Sequence, residues 1–581
     1  MYPYSFPIVA GGRRALAGLL LWLAAYAAQA QAPGWQAALA VPTSGARSFS
    51  YVSATATDAQ GNVYVAGDFW GSIVLGGTTL TSIGSRDGFV AKWSPASSSF
   101  VWARRLGSTR EDYVRGLALR GSDVYMAGSF YGPTADFGTS TLTNADNSGN
   151  SDDVFVTKLA DAGTSTQFVW AQRAGGTGED NAFAVAVSGT NVYVAGSFQT
   201  TAGFGSATLT SAGNLDLFVA KLTDAGSTSS FTWAQRAGGS DNDAATALAV
   251  RGTAVYLTGA FSGTAAFGGA TLSSAGEADA FVAKLTDTGT SGTFAWTQRA
   301  GGTADDYALR LVDAGGNLYV AGYFESAAAN FGAATLASAG GVDVFVTKLA
   351  DAGASGSFTW AQRAGGAGDD GTADEILTLG LAVRGAHVYL TGAFDGATAE
   401  FGGTTLTNAG PANTLDVYAA KLLDDGPTSR FVWAQRAGGA SDDGAITVAI
   451  HGTTVYVGGL FSPPATFGSQ TLTAAADAAA FLASFTDQSL PTVPALAAAS
   501  VAVAPNPAHA RTLVRLPAVP GAGPATLTLF DALGRAVRTR PVASLASESA
   551  IEVPLLGLAP GLYRVQVQLG RLRVSRPLLV E

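Results

Sequence analysis

The chain has no cysteine, three histidines and two methionines in 581 residues, and only 13% of it is charged. Without cysteine there are no disulfides, no thiolate metal ligands and no thiol nucleophile. The histidines, His387, His451 and His509, share no motif with a serine or a carboxylate, and no glycine-rich phosphate loop follows a strand. Long helical patterns are missing after residue 30. The little charge present is uneven. Nine arginines and four acids fall between Val501 and Glu581, so of the net −10 the rest of the chain carries about −15. An acidic body excludes the basic face that nucleic-acid binding needs.

What is present favours strands. Hydrophobic residues make up 47% and there are 74 glycines, a composition that supports a large core and short strands joined by tight turns. At the N-terminus, Arg13 and Arg14 precede an apolar run from Ala15 to Ala28, and Ala28-Gln29-Ala30 has the small-x-small form of a cleavage site. The run is shorter than the ~20 residues of a spanning helix. Residues 1–30 are therefore expected to be a signal peptide, with no membrane span after its cleavage.

Three motifs repeat seven times. Val-Trp-Ala-Gln-Arg-type strands are centred on Trp35, Trp102, Trp170, Trp233, Trp296, Trp360 and Trp433. Val-Tyr-Val-Ala-Gly-type strands begin at Val63, Val124, Val192, Val255, Leu318, Val388 and Val455. Asp-x-Phe-Val-Ala-Lys-type strands open at Asp87, Asp153, Asp216, Asp279, Asp343, Asp416 and Asp477. With an apolar stretch such as Ala184-Val185-Ala186-Val187, each unit offers four strands: a (that stretch), b (Val-Tyr), c (Asp-x-Phe) and d (Trp). Four antiparallel strands per unit of ~65 residues predict an all-β, seven-bladed β-propeller over residues 31–488. The ends are complementary: a lone d strand at Trp35 precedes the first unit, and the last unit lacks d. Trp35 is thus expected to complete the blade of Val455 and Phe481, closing a monomeric ring. Gly61-Asn62-Val63-Tyr64-Val65-Ala66-Gly67 resembles the bacterial β-propeller repeat family, a resemblance that implies fold rather than activity.

Residues 489–500 read as a linker and 501–581 as a small β-sandwich, with strands at Thr526–Phe530, Leu562–Val567 and Leu572–Val580. Pro505-Asn506-Pro507, Asp531-Ala532-Leu533-Gly534 and Gly561-Leu562-Tyr563 occur in the order and spacing of the C-terminal sorting domain of type IX secretion cargo, which this segment resembles. The resemblance implies that the type IX machinery is a partner. It also implies a secreted or outer-membrane surface-attached product of a Gram-negative bacterium.

Candidate chemistry is sparse. Acidic residues recur nine and ten positions after each internal Trp, the second of each pair being Asp112, Asp180, Asp243, Asp306, Asp370 and Asp443. Clustered carboxylates suit Ca²⁺, but none has the spaced Asp-x-Asp-x-Asp form of a dedicated loop, and Asp in a turn commonly bonds its own backbone. No other cofactor is indicated. The Arg three residues after each internal Trp and the Lys of strand c are expected to pair with repeated Asp, and the Trp to pack between blades. No catalytic set emerges. The expected function is binding of a protein or glycan ligand; a glycan-processing enzyme, with two carboxylates meeting across blades, is the alternative.

Overall fold

A computed structural model describes residues 31–581 except 139, 374–375, 412, 491–500, 517–524, 532–533, 543–548 and 570–571. The predicted signal peptide and most of the predicted linker lie outside the described residues. Among those described, the protein is all-β, with no helix long and apolar enough to cross a membrane. The chain divides into two compact units between Asp487 and Gln488.

In the larger unit every predicted a, b, c and d segment is a strand, and each set of four forms an antiparallel a-b-c-d sheet. Unit 3 shows how the sequence does this. Strand a (Asp180–Ser188) meets b (Asn191–Phe204) through a tight hairpin in which Ser188 pairs with Asn191, and Gly189 takes the positive φ of 61° that such a turn requires. Strand c (Ala207–Asp224) pairs with b, and d (Ser229–Gly239) with c, setting Lys221 between Tyr193 and Trp233. Val192 to Phe198 are buried without alternation, because b is covered on both faces by neighbouring units. A bulge in a leaves Phe183 as an extra residue; units 1, 2, 4, 5 and 7 carry the same irregularity.

The seventh sheet is completed from the far end of the chain. Trp35–Ala40 pairs antiparallel with Ala479–Thr486, with Trp35 opposite Phe485 and Ala40 opposite Phe481. This is the predicted pairing. The a strands of successive units touch one another in order, and that of unit 7 touches that of unit 1. Ser53 Oγ donates to Val114 O at 2.5 Å between units 1 and 2, and Thr55 Oγ1 lies 2.9 Å from Thr447 Oγ1 between units 1 and 7.

A repeated clamp joins the units. The Asp after strand c in one unit receives Tyr, Lys and Trp from the preceding unit. Asp287 accepts from Tyr193 Oη at 2.6 Å, Lys221 Nζ at 2.7 Å and Trp233 Nε1 at 3.1 Å. The same Tyr–Lys pair holds Asp161, Asp224, Asp351, Asp424 and Asp487. So the repeated Lys does pair with a repeated Asp, but with one in the following unit. The seam between units 7 and 1 differs. Ser484 stands in the Lys position and Pro95 in the Asp position, and Trp93 instead packs against Tyr456 at 6.0 Å.

The C-terminal unit holds a three-stranded sheet (Ala502–Ala504, Arg511–Leu516, Ser549–Pro554) and a four-stranded sheet (Ala525–Phe530, Ala536–Val542, Gly561–Leu569, Leu572–Val580). Val514, Leu516 and Val553 of the first share one core with Leu527, Leu529, Val565, Val567 and Leu578 of the second.

Candidate functional site at the mouth of the first unit

The six acidic candidates are buried, and their geometry serves the backbone. The d strands of units 1 to 6 end in Gly-Gly or Gly-Ser before crossing to the next unit, and the first glycine has φ near 140°. At Gly175 a Cβ would lie 2.1 Å from Asp153 Oδ1 and 2.9 Å from Asp180 Oδ2, so only glycine lets the crossing pass between the two carboxylates. Asp180 accepts from Gly176 N at 2.6 Å, while Asp153 accepts from Arg173 at 2.8 Å. Asp112, Asp243, Asp306, Asp370 and Asp443 accept from Ser108, Gly239, Gly302, Gly366 and Gly439 in the same way. Burial pushes Asp180, Asp370 and Asp443 up to about 8, against the pull of those amides, with the neighbouring Asp of strand c adding to the rise. Among the described residues no group of three or more His, Asp or Glu gathers as a metal site.

A carboxyl raised in the folded state keeps its proton where the unfolded chain has lost it. Stability from these groups is therefore present in the ordinary carboxylate range and declines as pH rises through about 8. The clamp carboxylates run the other way. Burial raises Asp351, but Lys284, Tyr256, Gly353 N and Trp296 outweigh it and hold it at about 2, so its contribution is lost only as pH falls toward that value. Melting curves are expected to show a maximum near about pH 4 and a decline that runs from there to about pH 8. Asp180→Asn should flatten the alkaline limb, since an amide needs no proton there. An unchanged pH profile in that variant would contradict the assignment.

Function is better sought where the repeat breaks. After the Phe that ends the b core, the seven units carry Trp70, Tyr131, Gln199, Ser262, Glu325, Asp395 and Ser462. Trp70 is 47% exposed, the largest ring so exposed among the described residues. It borders a cavity of ≈ 640 Å³ lined also by Phe49, Arg86, Glu111 and Asp477, drawn from units 7 and 1 and the crossing to unit 2. Below it the side chains are ordered by stacking. Arg86 lies over Phe49 at 5.5 Å and over Tyr113 at 5.2 Å, and Arg115 covers Tyr113 at 4.6 Å. Tyr113 Oη donates to Glu111 at 2.6 Å, Arg115 donates to Tyr51 Oη at 2.5 Å, and Tyr51 donates to buried Asp68. Close by, burial and then the charges of Glu179 and Glu111 raise Asp152 to about 7, and its Oδ1 has no hydrogen-bond partner.

Motif reasoning passes over these residues because none of them belongs to a repeated or catalytic motif. The available signal was simpler: Arg115 stands where five other units have Ser53, Phe183, Thr246, Leu309 and Ile446, and Arg86 where five have Leu215, Ala278, Val342, Leu415 and Ala478. Asp152 directly precedes the repeated Asp153 of strand c in unit 2, the place that Arg86 takes in unit 1.

In the C-terminal unit two of the three motif blocks bond to the last strand, and the third borders the same groove as that strand. Asn506 donates to Pro577 O at 2.9 Å and accepts from Leu579 N at 2.8 Å, between Pro505 and Pro507. Asp531 O accepts from Gly534 N at 3.0 Å in a turn where Gly534 has φ 78°. Gly561 pairs with Val580, and Tyr563 Oη donates to Ala559 O at 2.9 Å. Asp531, Gly534 and Tyr563 border a ≈ 410 Å³ groove beside Leu562, which is 60% exposed.

Fold and site thus define an all-β repeat protein with an aromatic-bordered cavity at a break in the repeat. No protein-family model matches the chain. The chain is 28% identical over 409 residues to the regulatory protein FlaEY of Caulobacter vibrioides, a match covering 67% of this chain and 40% of that protein. It therefore spans less than half of the curated relative's length. A crystal structure of a protein of unknown function from Dyadobacter fermentans superposes with a TM-score of 0.34 and 8% identity, covering 78% of this chain and 99% of that one.

Proposed function

We propose that residues 31–488 are a seven-bladed β-propeller that binds a glycan at the Trp70 cavity, exported by the N-terminal signal and by the C-terminal unit acting as a type IX sorting domain. The exposed Trp70 beside Phe49, Arg86, Glu111 and Asp477 carries the reading. An indole face with flanking charged acceptors and donors suits the apolar faces and hydroxyl rims of sugars. The propeller is supported by seven a-b-c-d sheets, by the Trp35 strand completing the last of them, and by contact between the a strands of units 7 and 1. Export is supported by the bonding of Asn506 and Tyr563 to the last strand and by the groove that Asp531 and Tyr563 share with it.

In a glycan-array and calorimetric screen of the full chain, Trp70→Ala should lower affinity at least about tenfold, the ~1.4 kcal/mol that loss of one stacking face represents. Equal affinity in wild type and variant would overturn the site. One observation favours an enzyme as second reading: Asp152, held up at about 7 near Glu111, has the protonation of a general acid. Cleavage of a bound glycan that is lost in Asp152→Asn would establish that reading; binding without turnover would exclude it for that glycan.

A further inference from the structure

The Trp70 cavity borders the crossing from unit 7 to unit 1, and there the repeat gives up both of its buried carboxylates. In units 5 and 6 the Asp that opens strand c lies opposite the last Phe of the b core, Asp343 on Phe324 and Asp416 on Phe394. In unit 7 Ala479 takes that place, opposite Phe461. Asp477, which the repeated motif puts there, lies two residues earlier and is exposed. At the start of strand a in unit 2, Asp112 lies opposite Phe130. In unit 1 Ser50 lies opposite Phe69 and accepts from Ala480 N at 2.9 Å. Asp477 is thus a carboxylate released from the crossing, and it lines the cavity instead.

Glu111 is released in a second way. Its counterparts in the crossings to units 5, 6 and 7 turn back onto the backbone. Asp305 accepts from Ala278 N, Asp369 from Val342 N and Asp442 from Leu415 N, each at 3.0 Å. Glu111 is exposed, accepts from Tyr113 Oη at 2.6 Å, and lines the cavity with Asp477. Arg86 is the cation of the same wall, its guanidinium lying against Phe49 at 5.5 Å and Tyr113 at 5.2 Å. Among the described lining residues, two carboxylates and one guanidinium therefore border the Trp70 ring. The wider field has the same sign. The chain ahead of Val501 carries about −15, and an acidic body raises the concentration of cations at its clefts.

We infer that the Trp70 cavity selects glycans that carry free amines, with Glu111 and Asp477 as the specificity-determining residues. The inference rests on the reading of this cavity as a glycan site and names the charge class of the glycan. A protonated amine on a sugar ring makes charge-assisted hydrogen bonds to carboxylates, roughly twice as strong as those a neutral hydroxyl donates. The same ammonium is attracted to the face of an indole, against which the apolar face of the sugar packs. N-acetylation removes that charge, and a uronic acid in the same place would meet two like charges.

The test uses the full chain with glucosamine hexasaccharide and its fully N-acetylated counterpart, below the pKa of the sugar amine. Calorimetric titration should give at least about tenfold tighter binding of the amine form, and added salt should shrink that preference. Asp477→Asn and Glu111→Gln should each lower the preference roughly threefold, the size of one exposed ion pair, and the double variant should remove it. Both side chains are exposed, so these variants should melt as the wild type does. Trp70→Ala should weaken both forms. Equal affinity for the two forms, lost together in Trp70→Ala, would overturn the inference and leave the glycan site standing. So would a Trp70-dependent glycan without amines when neither hexasaccharide binds. Amine binding unchanged in Trp70→Ala and in the double variant would be general attraction to an acidic body, and would also overturn it. A glycan array with no Trp70-dependent ligand would remove the glycan site and the inference together.

Discussion

Removing Trp35–Ala40 from the full chain is expected to destabilise the larger unit more than any single substitution in it. Those residues supply the outer strand of the seventh sheet, and without them the backbone of Ala479–Thr486 becomes an open edge, a template for intermolecular pairing. Trp35, 8% exposed, packs edge-on against Phe467 at 5.2 Å and Phe485 at 5.4 Å and donates to Arg436 O at 3.3 Å. Burial of one such ring is worth roughly 2–3 kcal/mol before the strand's backbone pairs are counted. The seam between units 7 and 1 also has the least in reserve, since Pro95 and Ser484 take the places of the Asp and Lys that clamp the other seams. The deletion should therefore lower stability by about 5 kcal/mol or more and cause aggregation on heating. A peptide spanning Gly34 to Pro42, added in excess, should restore the melting temperature. A deletion variant melting within about 2 °C of the full chain would show that the strand does not hold the seventh sheet together.

The second large effect is expected at a clamp. Asp287→Ala removes the acceptor for Tyr193, Lys221 and Trp233 at once and leaves Lys221, 4% exposed, buried with an uncompensated charge. Breaking one side of such a pair costs about 3–5 kcal/mol. The double variant Asp287→Ala/Lys221→Met should be less destabilised than Asp287→Ala alone, because the buried ammonium is gone as well. Chemical denaturation of the wild type, both single variants and the double closes that cycle. A double variant no better than the single would mean that the Lys–Asp attraction is not what the clamp contributes. The protein already carries this double change at its own seventh seam, where acid and base are absent together and Trp93 against Tyr456 fills the space.

Much of this architecture is legible in the sequence because each unit repeats the same physical demands. The Tyr, Lys and Trp of strands b, c and d recur because six of the seven seams are clamped through them. The Gly between two buried carboxylates recurs because no Cβ fits there. The partner choice was less legible. The repeated Lys could be matched with a repeated Asp, but that this Asp belongs to the next unit depends on a contact some 66 residues away, Lys221 to Asp287. The acidic residues read as metal candidates are equally ambiguous in one dimension. Only their depth, and the Gly-Gly amides they accept from, show them serving the crossings.

The sites of interest were the least legible. Trp70, Arg86, Arg115 and Asp152 are departures from a repeating pattern, and a search for motifs passes over departures. Strand order, unit number and the pairing of Trp35 with the last unit were set by local patterning: alternation, turn glycines and complementary ends, all read along the chain. The tertiary structure decided which departures meet. It placed Trp70 beside Glu111 and Asp477 from other parts of the chain. Such encounters join residues tens to hundreds of positions apart, and they exist only once packing has fixed the distances over which charge and stacking act.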